Sequence, residues 1–362
     1  MLNARAAVLL DAGSDPQLTD VQIRRPVDDE VLVAIEAVGI CHTDISMASR
    51  FRKVPMVFGH EGAGTVIDAG PAAASRIGLR VVLTFASCGS CLNCGAGRPA
   101  YCDHSTDLNM RGGRRDDTSA LWLNGEPVAG EFFGQSSFAT HAITKSRNAV
   151  TVTGDIDPAL AAPLGCSVQT GVGAVLNVLT PAPADPVVVF GAGAVGLSAV
   201  MGARIAGCRT VVAVDPVASR RALAAELGAT VTVDPTGADV AAAVLDATGG
   251  AAAAVDTTAR PDVIAAAVTV LRSRGTLALL GLGPLTAELP VALILGKGLT
   301  VRGVVEGDSE PRTFIDLLLR HHRRGELPVD KLVTTYPLED FNRAWTAAKA
   351  GDRLGTTWRR CR

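Results

Sequence analysis

Four of the eight cysteines fall within the short segment CGSCLNCGAGRPAYC. They are Cys88, Cys91, Cys94 and Cys102, in the pattern C-x2-C-x2-C-x7-C. Short loops of this kind let four thiolates converge on one zinc ion, and four sulfur ligands leave no open position for chemistry. The pattern therefore predicts a structural zinc site. An iron–sulfur cluster is the main alternative to zinc. Its usual motif, however, places the fourth cysteine closer to the third one and directly before a proline. A redox disulfide pair is the third alternative.

A second chemical motif is the glycine-rich turn VVVFGAGAVG, which places Gly191, Gly193 and Gly196 as G-x-G-x-x-G between a strand and a helix. These glycines permit a tight turn, close approach of a pyrophosphate and close helix–strand packing, and the helix N-terminus attracts phosphate. The next strand, TVVAVD, ends in Asp215, whose carboxylate can bind ribose hydroxyls and repels a 2′-phosphate. The motif therefore predicts NAD rather than NADP. Arg220 either contacts the adenosine ribose or is a solvated helix residue.

These motifs need elements that hold them, and the chain changes character along its length. From about residue 168, apolar runs such as VVVFG, TVVAVD and TLALLGL alternate with alanine-rich helical segments, which predicts an α/β Rossmann domain with a doubly wound parallel sheet. Earlier residues form short β-like runs and predict a mainly β domain. Residues 306–362 are too few for a third domain. We therefore expect one domain of residues 1–167 with 306–362, and an NAD-binding domain of residues 168–305.

Composition excludes several other classes of function. The formal net charge is −2, aromatic residues make up 4%, and no basic run is present, so we expect no nucleic-acid partner. The uncharged stretch 186–203 has GAGAVG at its centre, which argues against a membrane span. The N-terminal apolar run is too short for a signal peptide. Clustered cysteines without a secretion signal favour metal binding in a reducing cytoplasm.

Two further segments, GICHTDIS and FGHEGAG, contain side chains that could bind a metal but carry little weight alone. Together, GICHTD, GHEGAGTV, the four-cysteine segment and VVVFGAGAVG resemble the zinc-containing alcohol dehydrogenases of the medium-chain dehydrogenase/reductase family in order and spacing, over essentially the whole chain. The resemblance implies a GroES-like catalytic domain and two Zn²⁺ ions per chain, one catalytic and one structural. It also implies a homodimer or homotetramer, paired through an edge strand near LTVRGVV.

For the catalytic zinc, the resemblance implies the ligands Cys41, His60 and Cys166, the last in PLGCSVQTG. This Cys2His set leaves one position open for water or substrate. Glu61, beside His60, is implied to approach the metal during ligand exchange. Asp44 is implied to orient His60, as carboxylates behind zinc-bound histidines do.

The reaction that the resemblance implies is reversible hydride transfer between an alcohol and NAD. Thr43 would accept the hydroxyl proton and pass it to the nicotinamide ribose. Ser46 replaces the histidine that ends the proton relay in the best-known animal enzymes, so solvent or His42 would complete the exit. His42 also occupies a position where the family often binds the pyrophosphate. Gly355 stands where a basic residue is common, which predicts weaker NADH binding. The other implied cofactor positions are Thr170, Val195, Leu280 and Leu282.

The segments FFGQSSFATHAI, LGCSVQTGVGAVLNV and RGVVEGDS resemble the aryl (benzyl) alcohol branch of bacterial members. This implies primary aromatic or allylic alcohols and their aldehydes as substrates. The pocket is expected near Phe51, Thr84, Phe85 and the loop 109–123. Two alternatives on the same framework are a thiol-adduct (formaldehyde-type) dehydrogenase and a carbonyl reductase for a specialised metabolite. A non-catalytic NAD-binding sensor is the alternative outside enzymes, but it predicts a damaged ligand set or the loss of Thr43.

Overall fold

The computed structural model describes residues 1–114, 116, 118–237, 239–351 and 356–359. Gly355, at the predicted pyrophosphate position, lies outside the described residues. The chain forms two compact units. The first unit comprises Met1–Cys166, Glu310–Arg320 and Val329–Arg362, and the second unit comprises Ser167–Ser309 and His321–Pro328.

The described residues contain the following strands and helices. The strands are β1 Leu2–Leu9, β2 Gln17–Ile23, β3 Glu30–Ile40, β4 Met56–Val57, β5 Glu61–Ala69, β6 Arg80–Leu83, β7 Leu121–Leu123, β8 Glu126–Val128, β9 His141–Lys145, β10 Ala149–Thr151, β11 Val187–Phe190, β12 Val211–Val214, β13 Val231–Val233, β14 Ala251–Asp256, β15 Leu271–Leu279, β16 Thr300–Gly303, β17 Thr334–Pro337 and β18 Thr356–Arg359. The α-helices are α1 His42–Ala48, α2 Leu92–Gly95, α3 Ser105–Asn109, α4 Pro158–Ala161, α5 Ser167–Gly173, α6 Ala194–Ile205, α7 Ala218–Leu227, α8 Val240–Thr248, α9 Pro261–Val270, α10 Val291–Lys297, α11 Pro311–Arg323 and α12 Phe341–Ala350.

The second unit is built on one six-stranded sheet in the order β13-β12-β11-β14-β15-β16. Every neighbouring pair in it is parallel. Strands β11 and β12 are buried along their whole length, because helices cover both faces and leave no side for polar residues. This strand order is that of a dinucleotide-binding Rossmann sheet, and it confirms the predicted fold class.

The first unit is mainly β, as predicted. A five-stranded sheet runs β4-β1-β2-β7-β8, and a seven-stranded sheet runs β10-β6-β5-β3-β18-β17, with β9 also paired to β3. The long strand β3 holds the second sheet together, since it pairs with β5, β9 and β18. The C-terminal strands thus return to a sheet that residues 30–151 begin. Large buried side chains fill the core of this unit, among them Phe58, Phe132, Phe138, Phe341 and Trp345.

No single helix in the described part of the chain is long and apolar enough to cross a membrane. One bent pair of helical segments, Pro158–Gly165 and Ser167–Leu179, has the length and composition of a membrane span only when its two parts are counted together.

Candidate metal centres and cofactor site

The four cysteines of the segment 88–102, here called the cysteine lobe, are gathered by tight turns and by the short helix α2. The Sγ atoms of Cys88 and Cys94 are 3.9 Å apart, and those of Cys91 and Cys102 are 4.0 Å apart. A zinc tetrathiolate with bonds of about 2.3 Å has S–S edges of about 3.8 Å. A disulfide needs about 2.05 Å. The lobe therefore has the spacing of a metal site, which argues against the disulfide alternative.

Backbone amides surround these sulfurs. The donors are Cys88 N to Cys102 Sγ (3.3 Å), Ser90 N and Cys91 N to Cys88 Sγ (3.4 and 3.3 Å), and Cys94 N to Cys91 Sγ (3.5 Å). The Ser90 amide is the main reason that the pKa of Cys88 falls to about 5. Burial instead raises the pKa of Cys94 to about 12. A shared dication would stabilise the thiolate form of all four sulfurs at once.

The second cluster is assembled from distant parts of the first unit. Cys41, His60, Glu61 and Cys166 each place one ligand atom so that all four atoms lie within 4.8 Å of one another. Cys41 caps α1, Glu61 begins β5, and His60 directly precedes that strand. Cys166 follows the turn Ala162–Gly165. The structure thus brings together every predicted catalytic-zinc ligand.

Asp44 fixes the orientation of the His60 ring. The Nδ1–H of His60 donates to Asp44 Oδ1 at 2.9 Å. The same carboxylate accepts from the backbone N–H of Gly59 at 3.1 Å and of Cys41 at 3.0 Å. Since Nδ1 carries the proton, Nε2 presents its lone pair to the cluster. Among the described residues, His60 Nε2 is a buried nitrogen without a hydrogen-bond partner. A Cys2His donor set with this nitrogen left over fits a zinc ion.

The electrostatics of the cluster also call for a cation. Burial would lower the pKa of His60, but Asp44 and Cys41 outweigh it and raise the pKa well above its ordinary value. A hydrogen bond from Cys166 lowers the pKa of Cys41 well below its ordinary value, against the effect of burial. Burial raises the pKa of Asp44. Without a metal, the raised pKa favours the imidazolium form of His60, whose charge balances the Cys41 thiolate. A zinc ion would replace that proton and leave Nε2 as a ligand.

Two phenylalanines pack against His60, and the sequence analysis missed them. The Phe133 ring is stacked on the imidazole at 4.4 Å and 22° between planes. Phe132 meets the same imidazole edge-on at 5.5 Å. Phe133 and the preceding Glu131 have left-handed backbones, with φ of 51° and 62°. No sequence signal announces this turn, because non-glycine residues rarely adopt that conformation.

Helix α1 carries the remaining predicted catalytic residues. Thr43 is half-buried and His42 is exposed. The hydroxyl of Ser46 accepts a hydrogen bond from the Arg50 guanidinium. Ser46 therefore faces a permanent cation rather than a titratable group.

The glycine turn of the second unit has the geometry that its motif requires. Gly191 has a φ of +89°, which favours glycine. A Cβ on Gly193 would meet no described atom within 4 Å, so this side of the backbone is open to a ligand. A Cβ on Gly196 would lie 1.8 Å from the Gly191 carbonyl oxygen. The three positions fit a pyrophosphate at the N-terminus of α6, and Val195 in its first turn is half-buried.

Asp215 has more partners than the sequence suggested. It is only 3% exposed, and its two oxygens accept from the backbone N–H of Ala192 at 2.7 Å and of Val217 at 2.8 Å. Arg220 Nη1 lies 3.9 Å from Oδ2. The carboxylate therefore ties the glycine turn to the end of β12. Each oxygen keeps a second lone pair that a ribose hydroxyl can use.

The other predicted positions are spread over both units. In the second unit, Thr170 and Leu280 are half-buried, whereas Leu282 is 57% exposed. In the first unit, Thr84 and Phe85 are buried at the end of β6. The Thr84 hydroxyl donates to Gly165 O at 3.0 Å, next to Cys166. Phe51 meets Phe58 edge-on at 5.5 Å, and Gly112 of the loop 109–123 faces its ring.

The fold and the two clusters together define a zinc-binding dehydrogenase. Residues 194–320 match the zinc-binding dehydrogenase family, and residues 27–154 match the alcohol dehydrogenase GroES-like domain. The chain is 43% identical to a geraniol dehydrogenase from Castellaniella defragrans, over 98% of this chain and 96% of the relative. The chain therefore belongs to the zinc-containing alcohol dehydrogenases of the medium-chain dehydrogenase/reductase family, and it is an oxidoreductase that acts on alcohols.

Two solved structures resemble it over 100% of both chains. One is an alcohol dehydrogenase zinc-binding domain protein from Burkholderia ambifaria, with 43% identity and a TM-score of 0.97. The other is a benzyl alcohol dehydrogenase from Acinetobacter calcoaceticus, with 38% identity and a TM-score of 0.96.

Proposed function

We propose that this protein oxidises primary aromatic or allylic alcohols to aldehydes, with NAD as the hydride acceptor and two zinc ions per chain. One zinc would be catalytic and the other structural. The observation that carries the proposal is the cluster of Cys41, His60 and Cys166, in which His60 and Cys166 are buried and His60 Nε2 has no hydrogen-bond partner among the described residues. We assign catalysis to the domain of residues 1–167 and 306–362, and NAD binding to residues 168–305.

Each residue around the cluster has a distinct part in this proposal. Cys41, His60 and Cys166 would hold the zinc ion, which would act as a Lewis acid and lower the pKa of an alcohol hydroxyl. Asp44 holds the imidazole in the tautomer that leaves Nε2 free. The Thr43 hydroxyl would accept the substrate proton and pass its own proton on toward the nicotinamide ribose. Ser46 is bound by the Arg50 guanidinium, so the proton leaves through solvent or through the exposed His42.

For the cofactor, the glycine turn and Asp215 support NAD. A pyrophosphate would meet the open face of Gly193 and the first turn of α6. The Asp215 carboxylate would accept ribose hydroxyls and repel a 2′-phosphate. Arg220 lies beside that carboxylate and would contact the same ribose.

For the substrate, two observations support an aromatic or allylic alcohol. Relatives of this chain are named for geraniol and benzyl alcohol, an allylic and an aromatic primary alcohol. The Phe133 ring, which is stacked on His60 and 9% exposed, also places an apolar side chain next to the proposed metal.

The test is a spectrophotometric screen for NADH formation with aliphatic, allylic and aromatic alcohols, combined with zinc counting by elemental analysis. We expect two zincs per chain and the highest kcat/KM with benzyl or allylic alcohols. Activity only in the presence of added thiol would favour the thiol-adduct alternative. A single zinc, or NADPH formed faster than NADH, would contradict the corresponding part of the proposal.

A further inference from the structure

The turn Glu306–Asp308 has an unusual backbone. All three residues are left-handed, with φ of 48° at Glu306, 66° at Gly307 and 52° at Asp308. The turn follows β16 in the second unit. A left-handed glutamate and aspartate are unfavourable and persist only where their surroundings fix them.

Helix α5 and the π-helical segment after it, Ala174–Leu179, fix this turn. The Gly307 carbonyl accepts from Asn177 Nδ2 at 2.9 Å. A Cβ on Gly173 would lie 2.4 Å from the same oxygen, and a Cβ on Gly307 would lie 2.3 Å from Gln169 O. Both glycines are therefore required for the backbone of the turn to contact the helix.

The contact places the Glu306 side chain in a buried polar network. Glu306 is 8% exposed, and its Oε2 accepts from Gln169 Nε2 at 3.0 Å and from Thr170 Oγ1 at 3.3 Å. The Ser309 hydroxyl donates to Gln169 Oε1 at 3.1 Å. The Gln169 amide is thus held at both ends, and its NH₂ group is directed at Glu306.

This network decides what Thr170 can offer to a ligand. A threonine hydroxyl has one proton and two lone pairs, and here the proton is given to Glu306. Toward a ligand, Thr170 is therefore left as a hydrogen-bond acceptor. We propose that Glu306 is a positioning residue that fixes Thr170 as an acceptor for an N–H or O–H donor on the nicotinamide half of NAD. The inference rests on the proposed NAD dependence.

The strand order indicates which half of the dinucleotide is involved. A Rossmann sheet has two mononucleotide-binding halves, and the dinucleotide spans both at the carboxyl ends of the strands. The half β11–β13 carries the glycine turn and Asp215, which recognise the adenosine side. The Glu306 turn follows β16, the last strand of the other half. Thr170 is therefore positioned for the nicotinamide riboside.

The experiment compares two ligands that differ in that half. NADH affinity is measured by fluorescence titration of the zinc-loaded protein, and ADP-ribose affinity by calorimetry. We expect Glu306→Ala to weaken NADH about tenfold, since Thr170 loses the acceptor that orients its hydroxyl. ADP-ribose lacks nicotinamide, so its affinity should stay within about twofold. Thr170→Val should reproduce this pattern.

Ser309→Ala is the matched control. It removes the hydrogen bond from Ser309 to Gln169 and keeps the one between Thr170 and Glu306. It should leave both affinities unchanged. Equal weakening of both ligands by Glu306→Ala, or undiminished NADH binding, would overturn the inference. If Glu306→Ala does not fold, Thr170→Val decides in the same way. Failure of the unsubstituted protein to bind either ligand would instead overturn the proposed NAD dependence, and the inference with it.

Discussion

The cysteine lobe and the buried cluster are both predicted zinc sites, but they are built in opposite ways. The lobe takes its four sulfurs from residues 88–102, and three of these cysteines are half-exposed. The buried cluster draws on a helix cap, a strand and a turn that are far apart in the chain. In the lobe, backbone N–H groups donate hydrogen bonds to the cysteine sulfurs. In the buried cluster, the Asp44 side chain accepts a hydrogen bond from the His60 ring. A structural metal site needs only ligands at the right spacing along the chain. A site proposed for catalysis also needs buried side chains that orient its ligands.

Removing the nitrogen ligand of the buried cluster should have the largest effect on activity. His60→Ala should lower kcat/KM with benzyl alcohol by at least about 1000-fold, because a Lewis acid is lost. Zinc content should fall by about one ion per chain. Kinetics and elemental analysis on the same preparation measure both. Loss of both zincs would show that the two sites are not independent.

A smaller effect is expected at Thr43, which binds no metal in our proposal. Thr43→Ala should lower kcat by about 100-fold, a typical contribution of a proton-transfer group, and leave the zinc content unchanged. Thr43→Ser keeps the hydroxyl and serves as the control. Full activity of the alanine variant would remove Thr43 from the proton path.

The orientation of His60 should matter less than its presence. Asp44→Asn replaces an anion that accepts from His60, Gly59 and Cys41. Partners of this kind are worth about 10–100-fold in metal affinity or activity. Competition with a chelator should show faster zinc loss from one site per chain. Loss of the lobe zinc alone would contradict the assignment of Asp44 to the buried cluster.

The smallest effect on turnover is expected in the lobe. Cys91→Ser should remove one zinc and lower the melting temperature by about 5–10 °C, because a structural metal site is lost. At 25 °C the kcat should remain within about threefold, since a closed tetrathiolate offers no position for substrate. A collapse of kcat in a variant that is still folded would give the lobe a catalytic part.

The sequence predicts features whose residues are close together in the chain better than features assembled from distant residues. The lobe and the glycine turn are local, so spacing alone predicted them. The alternation of strands and helices predicted the Rossmann domain, and the family resemblance implied the GroES-like domain. Cys166 could be assigned only through resemblance to a family, because nothing near it in the sequence indicates a ligand. One of the two backbone amides bound by Asp215, that of Ala192, comes from a different loop, 23 residues earlier, which a linear pattern does not show. The left-handed backbones at Phe133 and Glu306 depend on tertiary contacts, so their side chains beside His60 and Thr170 were not foreseen.

The compactness of the lobe also has a consequence for the order of events during synthesis. Ribosomes add about 5–20 residues per second. All four lobe thiols emerge together, whereas Cys166 follows Cys102 by several seconds at these rates. If each site holds a zinc ion as proposed, the nascent chain would therefore complete the lobe site while the buried cluster still lacks Cys166. When zinc is scarce, newly made chains would fill the site in the cysteine lobe first. A shortage of zinc would therefore produce folded but inactive protein before it produced unfolded protein.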